Sequence, residues 1–221
     1  MVTILVSGSG TGVGKTRVTA ALARTARQHG RTVQVIKPVQ TGAVPPEPSD
    51  AEIVAQLAGL APDFVYTLRR YRAPLAPLAA VAAEDAQLDI QKIIREIAAL
   101  PPVDIRLIEG AGGAAVPLGP NGWDWMEFAD EIHAHAVILV VLDELGAINQ
   151  ARLVYDYARG KYRDRPPCGV LLNALTPPPP AVATSTRAAL EACGVPLCAE
   201  LAVDALEPIL HCPSLIQWLT Q

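Results

Sequence analysis

The segment Gly8-Ser9-Gly10-Thr11-Gly12-Val13-Gly14-Lys15-Thr16 follows a short apolar run and leads into a helical stretch. Glycine reaches backbone conformations barred to other residues, so successive amide N–H groups here, those of Gly12, Val13 and Gly14 among them, can turn inward around a phosphate. A helix opening near Lys15 adds the positive end of its dipole. Lys15 can then reach the outer phosphates, and the Thr16 hydroxyl can sit on Mg²⁺. The spacing departs from the usual G-x-x-x-x-G-K-[ST] pattern, which asks for glycine where Ser9 stands. The match runs instead from Gly8 and is one residue longer. The bland alternative is a glycine-rich turn that binds nothing, but the strand before and the Lys-Thr after favour phosphate.

Three further clusters carry polar groups at the ends of apolar runs. Lys37-Pro38-Val39-Gln40-Thr41-Gly42 puts a lysine where charge developing on a transferring phosphoryl group needs stabilisation, although a solvated loop lysine would look the same. Thr41 can bind a substrate or merely satisfy the turn. Ser49-Asp50 opens a helix, so either residue can be its N-cap, and Asp50 can alternatively be a carboxylate ligand of Mg²⁺. Glu109 closes an apolar strand ahead of Gly110-Ala111-Gly112-Gly113, the place of a metal-side acid; Gly112 and its neighbours let a substrate approach the backbone. The competing reading is a structural turn. Finally, Gly146-Ala147-Ile148-Asn149 enters a helix whose amides can hold a carboxylate, or Asn149 simply caps it.

Positioning such groups requires a sheet. Short Val-, Ile- and Leu-rich runs at Val2–Val6, Thr32–Ile36, Ile105–Ile108, Ala136–Leu142, Gly169–Leu172 and Val195–Ala199 read as doubly buried strands. Helical patterns between them, at Lys15–Gln28, Asp50–Leu57, Leu88–Ala99, Trp125–Ile132, Ile148–Arg159 and Ala181–Ala192, predict an α/β fold. The expectation is a single P-loop-type domain over residues 1–221, mostly parallel, with helices on both faces. Ala43–Pro48, Thr67–Pro77 and Thr176–Pro180 are rich in proline and read as loops.

Composition narrows the function. With 51% hydrophobic residues among 221 the chain can bury a good core. A net charge of −4 and no Lys/Arg-rich run argue against nucleic acid as partner. No apolar stretch reaches the roughly 18 to 20 residues that cross a bilayer. The run Val2–Val6 lacks the basic flank of a secretory signal. The four cysteines, Cys168, Cys193, Cys198 and Cys212, form no Cys-x-x-Cys pair and read as buried thiols, so a cytoplasmic setting is expected. Trp123 and Trp125 either cover a substrate or pack in the core, and packing is at least as good a reading.

Taken in order, the Gly8–Thr16 loop with its extra residue, Lys37–Gly42, Ser49-Asp50, Glu109–Gly113 and Gly146–Asn149 resemble the dethiobiotin synthetase family, ATP-dependent ring-closing enzymes of biotin synthesis. Ala73-Pro74-Leu75-Ala76-Pro77 is similar to that family's substrate loop, and the likeness covers about residues 2 to 175. The resemblance implies that 7,8-diaminopelargonate captures CO₂ as a carbamate, that ATP phosphorylates it, and that the second amine closes the ring. It implies Lys15 and Lys37 on the carbamate and γ-phosphate, and Thr16, Asp50 and Glu109 on Mg²⁺. Thr11 and Thr41 would face the diamine, and Gly146 to Asn149 would hold the substrate carboxylate across a homodimer interface. Departures fall at Gly10, Gly12 and Gln150, and on the base side, where Asn173-Ala174-Leu175-Thr176-Pro177 and Ala199-Glu200-Leu201-Ala202 replace the usual motifs. Asn173 still offers its amide to a base. The rival from another class is a ParA/MinD-like ATP-driven switch. Its second loop lysine would stand at position 10, which is Gly10.

Overall fold

In a strand, successive side chains point to opposite faces. In β1 (Val2–Gly8), Leu5 packs into one apolar cluster while Ile4 and Val6 pack into another, and all three are fully buried. That double burial is the signature of a strand inside a sheet covered on both sides. The computed structural model describes residues 1–43, 45–161 and 169–221. Cys168 lies outside them. After β1 come β2 (Val33–Thr41), β3 (Val65–Tyr71), β4 (Ile105–Glu109), β5 (Ala136–Leu142), β6 (Gly169–Asn173), β7 (Leu197–Leu201) and β8 (Ile209–Leu210). Among the described residues these form one sheet in the order β3-β2-β4-β1-β5-β6-β7-β8, parallel except for the last pair.

Helices α1 (Lys15–Gln28), α2 (Asp50–Ala58) and α8 (Pro213–Thr220) cover one face, where Leu22, Val54 and Leu219 join the cluster of Ile4 and Val6. On the other face lie α3 (Pro77–Ala83), α4 (Ile90–Ala99), α5 (Trp125–Glu131), α6 (Ala147–Lys161) and α7 (Pro180–Ala192). The expected α/β architecture with helices on both faces is therefore the observed one. None of the described helices is long and apolar enough to cross a membrane.

Three expectations need correction. The stretch Thr67–Pro77, read as a loop, contains most of β3 and the first residue of α3. β3 is an edge strand with half-buried positions and two arginines, which pair with Glu96 and Glu52, so it lacks the apolar run that marks an inner strand. Next, β2 does not stop at Ile36 but continues through Pro38 to Thr41. Its pairing with β4 ends at Ile36, and only β3 accompanies it further, so a proline there forfeits no bond to a second neighbour. Cys193, expected to be buried, is exposed, whereas Cys198 is buried. Elsewhere the boundaries move by a few residues, as β7 shows in running to Leu201, and β8 and α8 extend the chain beyond the last expected element.

Trp125 is the largest fully buried side chain. Its indole N–H donates to the Ala111 carbonyl at 2.8 Å, and its ring lies under Gly110 and edge-on to Phe128 at 5.3 Å. It thus packs, and it props the loop after β4 from below. Trp125→Ala is expected to cost about 3 to 5 kcal/mol of stability, as a cavity of that size does, measured by urea denaturation.

Candidate active site

The β1–α1 turn explains the irregular glycine spacing. A Cβ on Gly8 would come within 2.5 Å of the Val140 carbonyl, so the position that must be glycine is 8. Ser9 is tolerated one residue on, where its hydroxyl donates to Gln150 Oε1 at 3.0 Å. Gly14 is the N-cap of α1 at φ 85°, and a Cβ there would lie 2.1 Å from Asn173 Nδ2. A side chain at this position is excluded twice, by backbone strain and by contact. From the first turn of α1 the Lys15 ammonium arches back to the Gly10 carbonyl at 2.8 Å, closing the cradle.

The sheet then delivers three charged groups to one point. Glu109 ends β4, next to β1, and its Oε1 accepts from the Thr16 hydroxyl at 3.0 Å. Lys37 lies on β2, the next strand out, and pairs with Glu109 at 2.8 Å. Asp50 completes the group at 2.6 Å from the Lys37 ammonium. The capping question is thereby answered, because Ser49 is the N-cap of α2 in a reciprocal box with Glu52, which leaves the Asp50 carboxylate free to pair. Gln40 holds this helix end, its side-chain oxygen accepting from the Asp50 N–H at 2.9 Å. That role was not legible beforehand, since a glutamine in a strand gives no signal of what it anchors.

Glu109 Oε2 is buried and has no hydrogen-bond partner among the described residues. A buried carboxylate oxygen without a donor costs free energy unless something else meets it. With the Thr16 hydroxyl beside it and Asp50 on the same Lys37 ammonium, the donor set is all oxygen and carries two negative charges. That fits a hard divalent cation such as Mg²⁺.

These residues line a cavity of about 520 Å³. The phosphate loop contributes Thr11, Gly12, Gly14, Lys15 and Thr16; Thr41 and Gly112 border it, and Pro74 to Pro77 line it as well. Of the other expected site residues, Val13 is buried behind the loop, where its carbonyl accepts from Asn173. Gly146, Ala147, Ile148 and Asn149 sit at the start of α6 and do not border this cavity within one chain.

Electrostatics separates the two lysines. Burial first, and the Lys37 charge second, lower Lys15 to about 8. For Lys37, burial alone would lower the pKa, but Glu109 and Asp50 outweigh it and the net shift is upward. Lys37 therefore stays charged, whereas free Lys15 loses its proton as pH rises through about 8. A lysine attracts phosphate only when protonated. The KM for a nucleoside triphosphate is accordingly expected to rise between about pH 7 and about pH 9, measured as initial rates across that range.

A phosphate loop after the first strand of a parallel sheet, with a lysine and two carboxylates at neighbouring strand ends, defines a P-loop nucleotide enzyme. The fold agrees with solved structures. The cell division ATPase MinD from Pyrococcus furiosus superposes with a TM-score of 0.53 at 20% identity, over 92% of this chain and 84% of that one. The MinC:MinD complex from Aquifex aeolicus gives 0.53 at 16% identity, over 100% and 86%. At such identities the likeness concerns the fold alone. A family model described as an AAA domain matches residues 2–206. In sequence, the chain is 40% identical over 199 residues to the ATP-dependent dethiobiotin synthetase BioD of Mycobacterium tuberculosis, covering 86% of this chain and 82% of the relative. The Mycobacterium avium protein of the same name is also 40% identical, over 87% and 83%. The chain belongs to the ATP-dependent dethiobiotin synthetase family and is an ATP-dependent ligase.

Proposed function

We propose that this protein makes dethiobiotin from 7,8-diaminopelargonate and CO₂, supplied from bicarbonate, in an ATP- and Mg²⁺-dependent reaction, with the cytoplasm as its place. The observation that carries the reading is the position of Lys37, held between Asp50 and Glu109 beside the phosphate loop in one cavity. A carbamate formed on one amine of the substrate is an anion that must meet a still more highly charged triphosphate. Two ammonium groups, Lys15 and Lys37, offset that repulsion at the point of contact.

Mg²⁺ would be held by Thr16, Asp50 and Glu109 and would supply charge neutralisation across the outer phosphates. Thr11 and Thr41, which both line the cavity, would orient the diamine. Gly112 would let it approach the main chain. With the reactants held in line, the carbamate takes the γ-phosphoryl group to give a carbamic-phosphoric anhydride, and the second amine displaces phosphate as the ring closes. Such positioning is worth several kcal/mol, up to about 7 to 11. Gly146 to Asn149 do not line the cavity of their own chain; by the family resemblance they would instead hold a partner's substrate carboxylate across a homodimer interface.

The deciding assay is phosphate release from ATP and Mg²⁺ with the diamine and bicarbonate each omitted in turn. Release that requires both is the expected result. Release indifferent to both would overturn the ligase reaction in favour of a nucleotide-driven switch. The Gly10 position speaks against that alternative, since the cradle there is closed by Lys15 on the Gly10 carbonyl rather than by a second lysine.

A further inference from the structure

Arg72 is the first residue past β3, and from it the chain runs through Ala73, Pro74, Leu75 and Ala76 into α3. Pro74 to Pro77 line the cavity, yet the segment has little of its own to hold it there. Its two prolines lack an N–H, and Ala76, the N-cap of α3, has no side-chain group that can cap. Among the described residues β3 is the edge of the sheet, with β2 as its one strand neighbour. On that side the Gly42 N–H donates to the Tyr71 carbonyl at 3.0 Å. Pro74 sits so close that a Cβ on Gly42 would lie 3.1 Å from its ring.

Glu84 supplies the remaining hold. Its Oε1 accepts from the N–H of Arg72 and, at 3.0 Å, from the N–H of Ala73. Its aim is set by the way α3 ends. Glu84 is the C-cap, and Asp85 follows in the left-handed region at φ 48°. The Asp85 N–H donates to the Ala82 carbonyl at 3.4 Å and the Ala86 N–H to the Val81 carbonyl at 3.0 Å. That pair of bonds is a Schellman turn, which fixes the end of a helix that would otherwise fray. The Tyr71 hydroxyl adds a second tie, donating to the Gln87 carbonyl at 3.2 Å. The end of α3 is thus bound back to the end of β3, and the cavity-lining segment lies between the two ties.

We propose that Glu84 is a positioning residue for the ligase: by holding Arg72 and Ala73 it keeps Pro74 to Pro77 in place as an apolar wall for the carbon chain of the diamine. The inference rests on the substrate reading above and adds to it a residue that does not itself line the cavity. The side chains of the wall carry no charge and no hydrogen-bonding group. They suit a saturated chain, whereas the triphosphate is assigned to Lys15, Lys37 and the loop amides. Without Glu84 the segment must be ordered each time the diamine binds. That entropy weakens diamine binding and leaves the nucleotide side untouched.

The test is steady-state phosphate release by Glu84→Ala, Glu84→Gln and Asp85→Asn, with the diamine and ATP varied in turn. Amide hydrogen exchange over residues 72–77, which needs no substrate, runs alongside. Glu84→Ala is expected to raise the KM for the diamine about tenfold, the scale of hydrogen bonds to one charged acceptor, and to speed exchange at Arg72 and Ala73. Its kcat and its KM for ATP are expected to stay within about twofold. Glu84→Gln keeps an oxygen for the two N–H groups and is expected to hold the diamine KM within about threefold of the starting value. Asp85→Asn removes the same charge one residue on, in a backbone conformation that Asn accepts, and is expected to change neither KM. Equal rises in both KM values in Glu84→Ala, or no rise in either, would make Glu84 a structural tie only and overturn the proposal. An Asp85→Asn variant as weak as Glu84→Ala would overturn it too, because surface charge would then be the cause. Should the unaltered protein close no ring, the reaction assigned above falls. Faster exchange in Glu84→Ala that Glu84→Gln does not show would then still uphold the clamp, and unchanged exchange would overturn it.

Discussion

Lys37→Ala is expected to lower turnover by about a hundredfold to a thousandfold or more while ATP still binds, because the ammonium acts where charge develops and not where the cradle grips. The grip is assigned in the proposed reading to the loop amides and to Lys15, whose ammonium meets the loop's own carbonyl at Gly10. Lys37 instead spans Asp50 and Glu109 and is almost wholly buried. Removing it leaves two carboxylates facing each other, so the variant is also expected to lose about 3 to 5 kcal/mol of stability in the absence of a cation. Thermal melts with and without Mg²⁺ separate the two effects, and turnover is read well below the melting range. Near-normal phosphate release from a folded Lys37→Ala protein would sink the assigned role.

Glu109→Gln acts on the other half of the site. Gln retains an oxygen for the Thr16 hydroxyl and for Lys37 but replaces a negative charge with a neutral amide. The Mg²⁺ concentration giving half-maximal activity is expected to rise by at least about tenfold, corresponding to about 1.4 kcal/mol from one lost charge–charge contact. Lys37 loses one of the two carboxylates that raise its pKa, so the alkaline limb of the turnover profile moves toward lower pH. A Mg²⁺ dependence identical to that of the unaltered protein would remove Glu109 from the metal side of the cavity.

The convergence of Thr16, Lys37, Asp50 and Glu109 was legible because each follows or ends a recognisable apolar run or helix start, and a parallel sheet brings such ends to one edge. Asp50 could be assigned only in part, since sequence cannot tell which of two adjacent polar residues caps a helix and which is left over. What stayed hidden has a common cause in edges and long reaches. β3 carries Arg69 and Arg70 and lies at the rim, where no inner-strand pattern is required. The strand expected over Thr32–Ile36 runs on through Pro38 to Thr41, and the sequence of β2 does not show that β4 beside it stops early enough to make a proline there harmless. Arg17 stands two residues beyond Lys15, where helical periodicity offers nothing but a surface position. Its guanidinium donates to the carbonyls of Ala174 and Ala202, more than 150 residues away along the chain, which no local pattern announces.

Gly14, held in the left-handed region with the Asn173 amide against its α-carbon, has an implication for any mutational survey of this protein. Much of the proposed anion grip is peptide backbone, which truncating side chains one at a time leaves in place. An alanine scan would therefore map the lysines and carboxylates and pass over the amides. The grip would register as intolerance at a residue with no side chain to lose, where the smallest possible enlargement, a methyl group, is itself the lesion.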